Sequence, residues 1–144
     1  MKRVVITGLG IISPIGNDIA TFWKNLQEGV CGIAPITYYD TTDLPVKIAA
    51  EDYDVDKGMA RRSDRYCQYA LAAASQAVKD SGIEGKIASE RFGVYIGSGI
   101  GGMTTFINEC TKLNEQGATR ISPLFIPMMI SNIAAGNVAI AHHA

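Results

Sequence analysis

The chain has 144 residues, 47% of them hydrophobic and 19% charged. That balance suits one domain, or one part of a larger one, with a buried core, and it excludes a disordered segment. The net charge of −1 carries no global basic excess, so nucleic acid is not an expected partner and only a local basic patch has to be weighed.

Lys2 and Arg3 precede a first apolar run that is too short and too glycine-broken for a signal peptide. Val4-Val5-Ile6 is apolar on both faces, which predicts a buried central strand running into Thr7-Gly8-Leu9-Gly10. A helix follows, capped by Asn17 or Asp18, with Phe22, Trp23 and Leu26 on one stripe and Gly29 at its end. Residues 30–45, with Pro35 and Pro45, read as a loop, and residues 46–50 as a short strand. Ser63 is placed to cap a longer helix. There Cys67, Ala70, Leu71, Ala74, Ala77 and Val78 recur at the spacing of one apolar face, suited to close packing on a sheet, and Gly82 lies just past the end.

Phe92-Gly93-Val94-Tyr95-Ile96 predicts a second buried strand, which enters Gly97-Ser98-Gly99-Ile100-Gly101-Gly102. A helix over 103–115, an extended connector over 122–127 and a final helix from about 128 complete the chain. Residues 121–141 carry no charge, but Pro123, Pro127, Asn132, Gly136 and Asn137 interrupt them. A span needs ~20 unbroken apolar residues, so a helix buried against protein is expected and no membrane span. Strands alternating with helices place the chain in the α/β class with a parallel or mixed sheet.

Gly97, Gly99 and Gly102 meet the pattern Gly-x-Gly-x-x-Gly after a strand, and Gly8, Gly10 and Ser13 nearly meet it. A dinucleotide site also needs an acidic residue about 20 positions further on, at the end of the next strand. Pro14 and Gly16 interrupt any helix opening at Gly10, and residues 118–128 contain no acid. An NAD(P)-binding oxidoreductase is therefore the weaker alternative. The glycines read equally as places where the chain turns sharply or approaches other backbone closely.

Cys31, Cys67 and Cys110 are odd in number and lack CxxC spacing, which points to reduced thiols in a cytoplasmic protein and to no structural zinc site. A nucleophilic thiol needs a neighbouring base or a helix N-terminus. Cys67 and Cys110 fall inside helix patterns and Cys31 lies in a loop without a nearby histidine, so all three read as packing. His142 and His143 are adjacent and point apart on a helix, so an exposed helix end is expected rather than a metal ligand pair.

Several phrases converge in order. They are Arg3-Val4-Val5-Ile6-Thr7-Gly8-Leu9-Gly10, Ser13-Pro14-Ile15-Gly16, Trp23 with Leu26 and Gly29, residues 64–69, Asp80-Ser81-Gly82, Arg91-Phe92-Gly93-Val94, the glycine loop 97–102, and Ile121-Ser122-Pro123. Together they resemble the opening of the β-ketoacyl-[acyl-carrier-protein] synthases, most closely the type II, elongating enzymes of bacterial fatty acid synthesis. The initiating, unsaturated-chain and polyketide ketosynthases share the same outline. The resemblance covers essentially the whole chain.

The resemblance implies a thiolase-like layered α/β/α/β/α fold. Residues 1–144 would form its first, N-terminal half around a mixed, largely parallel sheet, incomplete at the C-terminal end. It implies a homodimeric acyltransferase working without a cofactor. Its partner is an acyl carrier protein bearing acyl and malonyl thioesters, and its reaction is decarboxylative Claisen condensation. The family's nucleophilic cysteine, two histidines and lysine match positions beyond Ala144, so this stretch alone is expected to be inactive. The alternative of a different class is a non-catalytic half-fold that binds carrier or self-associates.

Three roles for this stretch follow from the resemblance. Lys57, Arg61, Arg62 and Arg65 form a basic cluster and Arg120 stands apart; Arg61, Arg62 and Arg120 match the family's carrier-docking surface, where a positive patch would steer an acidic carrier. An ordinary solvated face, partly neutralised by Asp54, Asp56 and Asp64, fits the same residues. Phe106 matches a position that lines the acyl channel, often an isoleucine, and as a plain core residue it would need no such role. Phe125, Ile126, Met128, Met129, Ile130 and Ile133 form an uncharged surface of the kind found at interfaces. The resemblance puts them at the dimer contact, while burial within one chain accounts for them as well.

Overall fold

The computed structural model describes residues 3–51 and 62–144. Helix α1 spans Ile19–Gln27. Asp18 caps it from an extended backbone, its Oδ1 accepting the Thr21 N–H at 2.9 Å. Gly29 closes it with φ +68°. Strand β1 (Ile33–Pro35) pairs antiparallel with β2 (Ile48–Ala50), Ile33 opposite Ala50 and Pro35 opposite Ile48. The expected loop thus contains a three-residue strand, hidden in the sequence by its length and its proline.

Helix α2, Arg65–Ser81, is the centre of the molecule. Its N-cap is Asp64, one residue later than Ser63; the Asp64 carbonyl accepts from the Cys67 and Gln68 amides, and the Ser63 carbonyl accepts instead from the Gln68 side chain at 2.8 Å. Gly82 ends the helix in the left-handed region at φ +60°, as a C-terminal glycine allows. Cys67, Leu71 and Val78 are buried on the expected apolar face, with Ala70 and Ala74 beside them. That face meets another helix rather than a sheet: it packs on α5 (Ile133–His142), which contributes Ala134 and Val138 to the core, while Val94 and Ile96 close the cluster.

The first glycine loop lies along the polar side of α2. A Cβ on Gly10 would collide with the Ala73 carbonyl, and one on Gly8 with the Ala77 carbonyl and, at 2.6 Å, the Ser81 nitrogen. The Leu9 amide donates to Asp80 Oδ2 and the Ile11 amide to Gln76 Oε1, each at 3.0 Å. Close backbone approach is therefore the use made of these glycines.

Two expectations need correction. Residues 4–6 and 92–96 join no ladder; among the described residues the β1–β2 pair is the only sheet. Val4 is 96% exposed, and 92–96 alternate between half-buried Phe92, Val94 and Ile96 and exposed Gly93 and Tyr95. Apolar patterning reports which side chains favour burial, whereas a ladder requires a neighbouring strand as well. The connector and final helix also differ. A short helix α4 covers Phe125–Met129 and stops at Ile130 before α5 begins. Pro127 is tolerated there because first-turn amides need no helical acceptor. Helix α3, Met103–Gln116, with Gly117 after it, agrees with expectation to within a residue.

Candidate functional site

The second glycine loop delivers the chain into α3. Gly101 takes φ +87°, and its amide donates to Ser98 Oγ at 3.0 Å. Gly102 is buried and donates to the Met129 carbonyl at 2.8 Å; a Cβ there would stand 2.6 Å from the Met128 carbonyl. Only glycine lets the end of α4 sit against this turn. The amides a pyrophosphate would use are thus engaged with protein, and Asp80 holds a carboxylate at the first loop. Both features oppose a dinucleotide cradle.

Gly102 caps α3 with no side chain of its own. The missing acceptor comes from α2: Asp64, 6% exposed, accepts the Thr105 N–H through Oδ2 at 2.7 Å. Phe106 follows directly. With Ile100, Gly102, Met103 and Met129 it lines a cavity of about 310 Å³, an almost wholly apolar lining of the kind that takes a hydrocarbon group. Phe106 is 41% exposed, and its ring stands 6.2 Å, centroid to centroid, from the Phe125 ring at 31°.

The opposite side of α3 is polar. A cavity of about 370 Å³ is lined by Thr105, Asn108, Glu109, Thr111, Lys112, Ser122 and Met128. Glu109, 5% exposed, accepts from Lys112 Nζ at 2.5 Å and from the Ser122 N–H at 2.7 Å. These two donors hold its carboxyl below the usual glutamate range, against a smaller opposing effect of desolvation. Through Ser122 the carboxylate fixes the chain just after the 3-10 turn Ala118–Arg120.

Of the residues expected to receive a carrier protein, Arg62 is exposed on the turn before α2 and Arg120 is exposed on that 3-10 turn. Arg61 lies outside the described residues. Arg65 lies over the Tyr38 ring at 4.4 Å, a cation–π contact that ties it to the β1–β2 connection. Phe125, Met128, Met129, Ile130 and Ile133 are all half-buried, and Ile126 is 54% exposed. Tyr66 in α2 donates its hydroxyl to the Ile130 carbonyl at 2.5 Å, anchoring the α4–α5 junction.

Cys67 is fully buried and accepts from Asn137 Nδ2 at 3.1 Å. Burial pushes its thiol pKa up, the reverse of what a nucleophile needs. Cys110 is half-buried and Cys31 exposed. His142 is half-buried, not an exposed end; its Nε2 stands 3.3 Å from Ser75 Oγ across the α2–α5 contact. Among the described residues no cluster of histidine, cysteine or acid is arranged to hold a metal, and no helix is long and apolar enough to cross a membrane.

In the sequence Asp64 stands out as a charge offsetting the basic cluster and as the first residue of the 64–69 phrase, and Glu109 stands out for no role. The Glu109–Lys112 spacing of three residues was a visible helical pair. No local signal marks Thr105 as the partner of Asp64, 41 positions away.

The family model described as "Beta-ketoacyl synthase, N-terminal domain" matches residues 1–144. The 3-oxoacyl-[acyl-carrier-protein] synthase 2 of Staphylococcus aureus (strain COL) is 48% identical over 146 residues, covering 96% of this chain and 35% of that protein. The protein of the same name from a Synechocystis species is 42% identical with the same coverage. The chain thus spans about a third of the length of these curated relatives. Among solved structures, the ishigamide ketosynthase/chain length factor superposes with a TM-score of 0.77 at 25% identity, over 94% of this chain and 36% of that one. A type II PKS acyl-carrier protein in complex with its ketosynthase gives 0.76 at 22% identity, over 99% of this chain and 39% of that one, and shares the fold. These neighbours place the structure in the thiolase-like layered α/β class. The chain belongs to the β-ketoacyl synthase family and matches that family's N-terminal domain over residues 1–144.

Proposed function

We propose that the chain contributes an N-terminal portion of a condensing acyltransferase of fatty acid elongation. In the reaction an acyl group is held as a thioester on an enzyme cysteine. Malonyl-carrier protein loses CO2, and the resulting carbanion attacks the thioester carbonyl. The enzyme thiolate leaves, and β-ketoacyl-carrier protein is the product. The observation that carries this reading is the apolar cavity walled by Phe106 behind a glycine turn, in a chain of this family. Phe106 sets the depth of that cavity for the acyl tail. Arg61, Arg62 and Arg120 receive the acidic carrier protein. Phe125, Met128, Met129, Ile130 and Ile133 line the contact with a second subunit in a homodimer.

A second reading is favoured by the state of the thiols. Cys67 is sealed in the core, and none of the three cysteines has a histidine base among its observed contacts. The chain would then be a half-fold that binds carrier without condensing. The deciding experiment incubates acyl- and malonyl-carrier protein with the full-length enzyme and with the 144-residue chain, and follows β-ketoacyl product by mass spectrometry. Product from the full-length enzyme alone supports the first reading. No product from the full-length enzyme, with carrier binding retained, overturns it in favour of the second.

A further inference from the structure

The buried carboxylate of Asp64 sits where three elements meet. Its own carbonyl opens α2, accepting from the Cys67 and Gln68 amides at 3.1 and 3.2 Å. Its side chain leaves α2 uncapped and crosses to α3, where Oδ2 accepts the Thr105 N–H at 2.7 Å. That amide is one of the first-turn donors that no helix can satisfy internally. The Asp64 Cβ and Oδ2 both lie 3.0 Å from where a Gly102 Cβ would stand, so the glycine turn is shaped around this carboxylate. On its other flank Gly102 is held by the Met129 carbonyl at 2.8 Å. The next residue after Thr105 is Phe106, and Gly102, Met103, Phe106 and Met129 line the 310 Å³ cavity.

We propose that Asp64 is a positioning residue for the acyl cavity: it clamps the first turn of α3 against α4 and so sets where the Phe106 ring stands. The inference rests on the acyl-pocket reading of Phe106 given above. The side chain of Asp64 acts through the Thr105 amide, whose N–H it accepts. Removing the carboxylate leaves a buried N–H without an acceptor and opens space beside Gly102. The turn carrying Phe106 then relaxes toward α2, and the cavity changes depth while its lining residues stay the same. A plain stabilising cap would lower activity on every acyl length alike. A clamp on the cavity wall changes the preference between lengths.

The test uses the full-length enzyme and compares kcat/KM for a short and a long acyl-carrier substrate. Asp64→Ala is expected to shift the long-to-short ratio by about fivefold, chiefly through KM, because the lost contact is one buried charge-assisted hydrogen bond. Asp64→Asn keeps a carbonyl oxygen where Oδ2 stands and is expected to restore the ratio to within about twofold of wild type. Should Asp64→Ala fail to fold, Asp64→Glu serves instead: its extra methylene presses on the Gly102 turn, and the same kind of shift is expected. An unchanged ratio in the variant that folds overturns the proposal, as does an Asn variant that shifts the ratio as far as Ala.

Hydrogen exchange at the Thr105 amide reads the clamp independently of the pocket. Faster exchange in Asp64→Ala and wild-type protection in Asp64→Asn are expected; equal protection in all three overturns the clamp. Phe106→Ala separates the two ideas. If it leaves the long-to-short ratio unchanged, the acyl-pocket reading fails, and the exchange data still judge the clamp.

Discussion

Glu109 has both carboxylate oxygens committed, Oε1 to the Lys112 ammonium and Oε2 to the Ser122 amide. Its pKa is lowered in the folded state, so the folded state binds this proton more weakly than the unfolded chain does. The stabilisation is complete above the ordinary glutamate value of ~4.3 and is lost as pH falls through the depressed folded value. Urea midpoints measured from neutral to acid pH should fall in that window for the wild type and fall less steeply for Glu109→Gln. Identical slopes would remove Glu109 from the acid response. The exposed arginines act differently, through long-range attraction. In a complete synthase carrying this stretch, as proposed above, Arg62→Glu with Arg120→Glu should weaken carrier binding roughly three- to tenfold at low salt, the difference shrinking once the Debye length falls to ~8 Å. A dissociation constant unchanged at low salt would return both residues to an ordinary solvated face.

Between α2 and the first glycine loop there is no room for a methyl group. Gly10→Ala drives its Cβ into the Ala73 carbonyl, with the Ala77 nitrogen 2.9 Å away, and helix backbone cannot swing aside as a side chain could. Overpacking of this kind costs ~1–3 kcal/mol. Gly97→Ala is the matched control, because nothing lies within 4 Å of its Cβ position and no positive φ is required there. Chemical denaturation should show a lower midpoint for Gly10→Ala and little change for Gly97→Ala; equal midpoints would mean that the loop is not pressed on the helix. Much at this scale was legible in the sequence. Helices α1, α2 and α3 follow from apolar spacing, from Asp18 as a cap, and from Gly29, Gly82 and Gly117 as stops. What could not be read is which element each face meets. The alanine stripe of α2 states that something packs closely, and α5 rather than a sheet is the partner. The break at Ile130 that separates α4 from α5 has no proline or glycine to announce it. The cavity was legible only at Phe106, because the turn that brings Gly102 to Met129 joins residues far apart in sequence.

The molecule as a whole exposes 10561 Å² for 15.4 kDa, whereas a compact monomer of that mass exposes roughly 7200 Å². The excess is larger than a standard protein interface of about 1600 Å². The molecule's most exposed large apolar side chains lie on the two segments that form no ladder: Val4 is 96% exposed, Ile6 83% and Tyr95 98%. The side chains of 92–96 alternate as strand side chains do, and the backbone of both segments joins no ladder among the described residues. Such edges pair with any complementary strand within reach, including those of another copy. The core that opposes unfolding is small by comparison: Cys67, Leu71, Val78, Ala134 and Val138 are its buried apolar members among the described residues. The purified 144-residue chain is therefore expected to associate, its weight-average sedimentation coefficient rising with concentration and its surface binding an apolar dye strongly. Ile6→Lys with Tyr95→Lys places a charge on each segment, where a paired strand would have to desolvate it. That double variant should hold the coefficient near the monomer value over the same concentration range. If the wild type sediments as a concentration-independent monomer, the exposed segments do not drive association. If the double variant associates as readily as the wild type, the contact lies elsewhere, with the half-buried Phe125, Met128 and Ile133 surface the next to be charged.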